Sequence, residues 1–268
     1  MKKICFLFLL AANTLHAQEL FVYTEPASNM PARSIGIRIG NMLMKEKGTD
    51  TYELHLIPEI MIAANKKLML HADAFLSNVD KKFSFEGGSF YAKYRLFSYD
   101  QVHSHFRVAA YVRVSFNSSV VHQEEIDLYG HNSGYTAGFV ATQLLHKVAL
   151  SANVSYLHAM DNGSKNKFPS TQSRNAAGYS LSVGKLLLPK EYTGYKQTNL
   201  NLIIELLGQT SGDNGKSFLD AAPAIQFIFN SQARVDIGYR TQLYNSMYRT
   251  APNGFILRFE YLFFNAFK

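Results

Sequence analysis

The chain of 268 residues has no tryptophan and a single cysteine. Cys5 sits inside an apolar N-terminal run, so a chain that loses that run carries no thiol. Disulfides, thiolate metal sites and cysteine nucleophiles are then excluded. No stretch approaches the ~18 apolar residues that a membrane-crossing helix needs. The net charge of +7 falls to +5 without Lys2 and Lys3, and the remaining basic residues are scattered. They form no stripe and no groove-reading motif, so nucleic acid is not an expected partner. A phosphate-cradling glycine loop and a structural-zinc spacing are also missing, and no cofactor or metal follows from the sequence.

What is present is a rhythm of two. Ile35, Ile37 and Ile39 alternate with Gly36, Arg38 and Gly40, and Phe106, Val108, Ala110, Val112, Val114 and Phe116 alternate with Arg107, Ala109, Tyr111, Arg113 and Ser115. Near the C-terminus Phe255, Leu257, Phe259, Tyr261 and Phe263 carry the same pattern. Period two means strands with one apolar face each. Twelve segments are predicted: 33–44, 52–62, 68–77, 88–98, 104–117, 133–144, 148–158, 176–188, 197–207, 218–229, 233–243 and 254–264. Their length fits the ~9–11 residues of a tilted strand crossing a bilayer. The expected fold is therefore all-β: a transmembrane antiparallel up-and-down barrel of about twelve strands. Alternation also explains how a chain only 47% apolar can span a membrane, and 16 Tyr with 20 Phe suit the aromatic girdles at its interfaces. A soluble β-sandwich would alternate too, but with strands of about 5–6 residues.

The ends and connections agree with export to an outer membrane. Met1-Lys2-Lys3 is a basic start, Ile4 to Ala12 an apolar run too short to span, and Ala17-Gln18 offers small-residue cleavage. Residues 1–18 are expected to be a secretory signal, and 19–268 a barrel domain opening with a short periplasmic segment, 19–32. Short connections alternate with long polar ones at 78–87, 118–132, 159–175, 208–217 and 244–253, the asymmetry of outer-membrane barrels. Connections 45–51 and 189–196 fit that alternation less well. An even strand number puts both termini on the periplasmic side. No long plug domain is expected ahead of the first strand.

If the apolar set meets lipid, the other set lines the lumen. It includes Arg38, Glu53, His55, Glu59, His71, Asp73, Lys93, Arg95, Arg107, Tyr111, Arg113, Asn201, Glu205, Arg234, Asp236, Arg240, Arg258 and Glu260. Charges in such a place must be paired or hydrated. A hairpin centred on Asn65 sets Glu59 opposite His71, and one centred near Gln101 sets Arg95 opposite Arg107. Asp73 is expected within diagonal reach of Lys93 and Arg95, and Asp236, Arg258 and Glu260 group across the last hairpin. A charged constriction that screens solutes is one reading; a salt-bridged filling of a closed barrel is the other. Eight basic against six acidic residues in this set do not settle an ion preference.

Pro58 and Pro223 fall inside strands, where each removes a ladder donor. They mark tolerated bulges or breaks in the wall through which an apolar solute leaves into lipid. His122, Glu124, Glu125, Asp127 and His131 share one long connection and carry metal-ligand chemistry, though a solvated outer loop accounts for them as well. His103-Ser104-His105 places bases beside a hydroxyl, but on a short periplasmic turn with no placed acid partner, so an enzyme is not expected.

Ahead of the first strand, Thr24-Glu25-Pro26-Ala27-Ser28-Asn29-Met30-Pro31, followed by Ser34-Ile35-Gly36, resembles the opening of a family of outer-membrane transporters named for the meta-cleavage pathway of phenol degradation. The resemblance covers about a dozen residues and implies uptake of aromatic or other apolar compounds. The C-terminus departs from the usual barrel ending on an aromatic residue, because Lys268 follows Phe267. A passive channel for small solutes in the bacterial outer membrane is the leading expectation, with lipid, a small solute and the barrel assembly machinery as partners. A structural or interaction barrel with a closed lumen is the alternative.

Overall fold

The computed structural model describes residues 21–79, 82–191, 194 and 196–267. The expected signal segment 1–18 lies outside the described residues. Among these, twelve strands close into one antiparallel barrel: β1 (Ser34–Lys45), β2 (Tyr52–Ala63), β3 (Leu68–Ser77), β4 (Ser84–Gln101), β5 (Ser104–Asn117), β6 (Gly134–Leu145), β7 (Val148–Ala159), β8 (Asn175–Leu188), β9 (Asn199–Ser211), β10 (Ser217–Phe229), β11 (Ala233–Asn245) and β12 (Asn253–Phe263). Each strand pairs with its sequence neighbours, and β1 pairs with β12 from Ile35↔Phe263 to Lys45↔Asn253. Closure leaves no free edge, which a backbone in hydrocarbon requires.

The alternation sorts the side chains as the sequence predicts. Ile37, Ile39, Val112, Val114, Phe139, Leu181, Ile204, Ile237 and Phe259 stand exposed on the outer surface. Their neighbours Arg38, Thr136, Ser182, Glu205, Asp236, Arg258 and Glu260 are buried inside. Exposed aromatics gather at both strand ends, with Tyr52, Phe85, Phe116 and Tyr244 toward one rim and Phe97, Tyr99, Phe229 and Phe263 toward the other. The second rim carries tight connections. His146 adopts a left-handed backbone (φ 53°), as do Asn230 (52°) and Ser231 (56°), the geometry that turns a two-stranded hairpin. That rim also receives both ends of the strand series, the side that the sequence expects to face the periplasm.

Two strands outrun their predicted limits by three residues or more. β4 reaches Gln101 because a bulge between Arg95 and Phe97 restores its pairing with β5 beyond the point where the alternation breaks. β9 reaches Ser211 because polar Gln209 and Thr210 still pair with β8 and β10 above the apolar belt. Both prolines point outward at interruptions of a ladder. β2–β3 pairing stops at Leu56↔Leu76 and resumes at Glu59↔Asp73, and β10–β11 pairing stops at Ala221↔Thr241 and resumes at Ala224↔Gly238.

Candidate functional site in the barrel lumen

The inward charges form a chain of ion pairs across the sheet. Arg38 donates to Glu260 (2.8 Å), Glu59 (2.9 Å) and Glu25 (2.8 Å). Arg234 donates to Glu260 (2.7 Å), and Arg258 to Asp236 (2.7 Å). Register explains the grouping: Arg38 lies opposite Glu260 on one side and Glu59 on the other, and Asp236 lies opposite Arg258. The group expected across the last hairpin is therefore assembled. Glu59 also meets the His71 ring, although its direct partner across the ladder is Asp73 and that of His71 is Met61. The hairpin is centred one residue later than predicted, and the diagonal contact survives the shift.

Other expected contacts change. Asp73 pairs with Arg113 and Ser89, not with Lys93 and Arg95, because β4 presents Ser89 beside it. Arg95 lies opposite Ala109, and Arg107 opposite Ser98, since the bulge after Arg95 shifts the register. Arg107 instead reaches Asp100 (2.9 Å) and the Ser28 hydroxyl (2.8 Å). Beside the His103–His105 stretch, Asp100 lies 2.8 Å from His105 Nδ1, while Ser104 accepts from Gln143 (3.0 Å).

Residues 21–32, expected in the periplasm, instead run up into the barrel. The amides of Val22, Tyr23 and Thr24 donate to the Glu205 carboxylate at 2.7, 2.8 and 3.0 Å, and the Thr24 hydroxyl joins them at 2.6 Å. Arg258 donates to the Phe21 and Val22 carbonyls (2.7 and 2.6 Å), and Lys93 to those of Pro26 and Ser28 (2.7 and 2.9 Å). Ala27 N–H donates to Thr142 (2.9 Å). Burial alone would raise the Glu25 pKa, but Arg38 and Lys93 hold it well below the usual carboxylate range.

From the outer rim the connection 118–133 folds inward too, rather than standing as a solvated loop. Glu125 receives Arg240 (3.0 Å) and Arg249 (2.5 Å), both of which also bind Asp220. Burial opposes ionisation of Glu125, yet the two guanidiniums bring its pKa down to about 2. Ile126 exchanges both backbone bonds with the Gln209 amide at 2.9 Å. Arg113 lies over the Tyr129 ring at 4.7 Å. Glu124 is taken by Lys216 (2.6 Å) and Glu125 by the two arginines, so the five metal-type residues of this connection do not gather into one site, although Asp127 and His131 stay together.

Between the two inserted segments lies a cavity of about 310 Å³. Tyr23, Tyr91, Tyr111 and Tyr129 line it together with Met42, Ile57, Ile126 and Leu128, and Arg38, Arg113, Arg240 and Arg258 supply its cations. Gly138 keeps Tyr111 in place, since a Cβ there would lie 2.7 Å from the phenol oxygen. Asp220 and Arg249, absent from the predicted set, are central to the outer half. Asp220 shares inward parity with Gln226 in β10, which was a usable signal; Arg249 lies on a connection and had none.

No family model matches the chain, and no curated protein matches it. Among solved structures, an outer membrane channel from Pseudomonas putida F1 superposes with a TM-score of 0.56 at 12% identity, covering 90% of this chain and 99% of that one. OmpF of Salmonella typhi, in complex with daunomycin, gives 0.40 at 10% identity over 86% and 97% of the two chains. OccAB4 of Acinetobacter baumannii gives 0.38 at 9% identity over 83% and 56%. The first of these shares the fold of this chain, a closed barrel of the outer-membrane type.

Proposed function

We propose that the protein is a passive outer-membrane channel for small aromatic or amphipathic solutes, closed at rest by two removable segments. The observation that carries this is the cavity between them. The wall consists of strands locked by ladders, whereas both obstructions are peptide held mainly by side-chain bonds. Four tyrosines and several aliphatic groups beside four arginines suit a ring-bearing solute with a polar or anionic group. The resemblance of residues 24–31 to transporters of the phenol meta-cleavage pathway supports the same reading, because Thr24 and Glu25 line that cavity. So does the description of the Pseudomonas putida neighbour as a channel. Lys93, Arg107, Glu205 and Arg258 would set selectivity by holding or releasing the first segment and Arg240 the second, while Glu59, His71, Asp73, Arg95, Arg113, Asp236 and Glu260 would supply the surrounding charge. Pro58 and Pro223 would serve lateral exit of an apolar solute.

The test is single-channel recording of the purified protein in planar bilayers, with a deletion of residues 21–30 beside it. Brief, small openings in the parent and long, larger ones in the deletion are expected. Liposomes should take up a hydroxylated aromatic acid faster than a sugar of equal mass. Silence of both proteins would favour a structural barrel, the reading suggested by the dense ion pairing.

A further inference from the structure

The outer loop contributes a histidine to a cluster that the channel reading does not use. His131 ends the inserted connection, and His55 and Glu53 face it from the outer end of β2. The rings of His55 and His131 are 4.6 Å apart. His55 is 2% exposed, and its Nε2 has no hydrogen-bond partner; that nitrogen lies 3.7 Å from a Glu53 carboxylate oxygen. One ligand atom from each of the three residues falls within 4.8 Å of the others. A buried imidazole with an unsatisfied nitrogen, set against a half-buried one, costs free energy unless something satisfies that nitrogen.

We propose that Glu53, His55 and His131 form a binding site for a divalent transition-metal cation of the zinc class, which pins the connection 118–133 to β2. Two imidazoles and one carboxylate suit zinc, nickel or copper, whereas calcium and magnesium take oxygen ligands. Bonds of about 2.0–2.2 Å require the three ligand atoms to draw in by roughly 1 Å. Glu53 and His131 are only half-buried and can make that movement. Asp127 stands next to His131, with Oδ2 3.8 Å from Nε2, ready for a fourth position or for orienting the ring. None of the three residues lines the cavity, which the site reaches only through Asp127.

Zinc chloride is titrated calorimetrically into the untagged, full-length protein in detergent after chelator treatment. One equivalent binding with micromolar or tighter affinity is expected. His131→Ala, a change on the connection rather than in the barrel wall, should weaken it at least tenfold, and His55→Gln should do the same. His103→Ala, at the periplasmic rim where His103 stacks on His146 at 5.2 Å, should leave it unchanged. Cobalt in place of zinc should give a visible absorption band that His131→Ala abolishes, with far-ultraviolet circular dichroism showing that the barrel is intact. Absence of zinc binding in the parent would overturn the proposal. So would affinity that survives His131→Ala, or that disappears with His103→Ala.

Discussion

The two segments that close the barrel are held by different parts of themselves. The N-terminal segment is gripped by its backbone: Glu205 takes three of its amides, and Arg258 and Lys93 each take two of its carbonyls. The connection 118–133 is gripped chiefly by one side chain, Glu125, through Arg240 and Arg249. The wall therefore supplies most of the specificity for the first segment, with Glu25 adding an ion pair to Arg38. The second depends most on the identity of one residue, with Glu124 and Ile126 adding bonds to Lys216 and Gln209. A backbone grip also spreads over several bonds, so it is lost gradually, whereas an ion-pair clasp is lost at one stroke.

The largest effect is expected from Glu125→Ala. It leaves Arg240 and Arg249 sharing Asp220 alone, and breaking a buried pair in this way costs about 3–5 kcal/mol. The outer obstruction should detach, and single-channel recordings should show a clear rise in open time. Tyr23→Ala, which keeps every backbone bond to Glu205, should change open time far less. Comparable rises in the two variants would erase the contrast between the segments.

The contrast presupposes that lipid meets one face of each strand and the segments meet the other. Val112→Lys places a cation on the outer belt, at ~2–4 kcal/mol near the bilayer centre. Asn153→Lys puts the same charge beside the cavity, where the main loss is one hydrogen bond from Tyr111, about 1 kcal/mol. Denaturant unfolding in lipid vesicles should separate them in that order. Ser115 is a poor site for this inward control, because it is buried under the connection and donates to the Leu128 carbonyl.

Acid should release the two segments unequally. A carboxylate whose folded pKa is depressed stabilises the fold above its unfolded value, about 4.3 for Glu, and that contribution is lost as pH falls through the folded value. For Glu125 the window runs from about 4.3 down to about 2. Glu25 is held lower still by Arg38 and Lys93. Lowering the pH through this window in bilayer recordings should therefore lengthen openings in the parent, with little further change in Glu125→Ala. An equal acid response in both would place the sensitive group elsewhere.

Smaller effects are expected at the periplasmic rim and the prolines. Neutralising Arg95 and Arg107 together should shift ion selectivity modestly, mostly through loss of the Arg107 bond to Ser28, with Arg95→Gln alone nearly silent. Pro58→Val and Pro223→Val should slow uptake of an apolar compound and leave ion conductance alone. Unaltered uptake would remove the lateral route.

Residues near in sequence across a hairpin were legible; residues brought in from afar were not. Asp236 and Arg258 face each other on adjacent strands, and Glu59 reaches His71 because a diagonal contact tolerates a shift of the turn. The partner of Asp73 is not legible, because its choice among Lys93, Arg95 and Arg113 depends on a register three strands wide and on where Lys93 is drawn. Arg249 could not be read at all, since connections carry no periodicity.

The sequence by itself determined the barrel: period-two alternation over twelve segments dictates which face meets lipid, and closure follows because hydrocarbon offers no partner for a free edge. Only the tertiary structure decided what fills the barrel. Glu205 meets Val22 across 183 residues, and Arg249 meets Glu125 across 124, distances over which no local pattern carries information. Those contacts arise because a ring of inward charges needs partners in a space with little water, and the inserted segments bring amides, carbonyls and one carboxylate within reach.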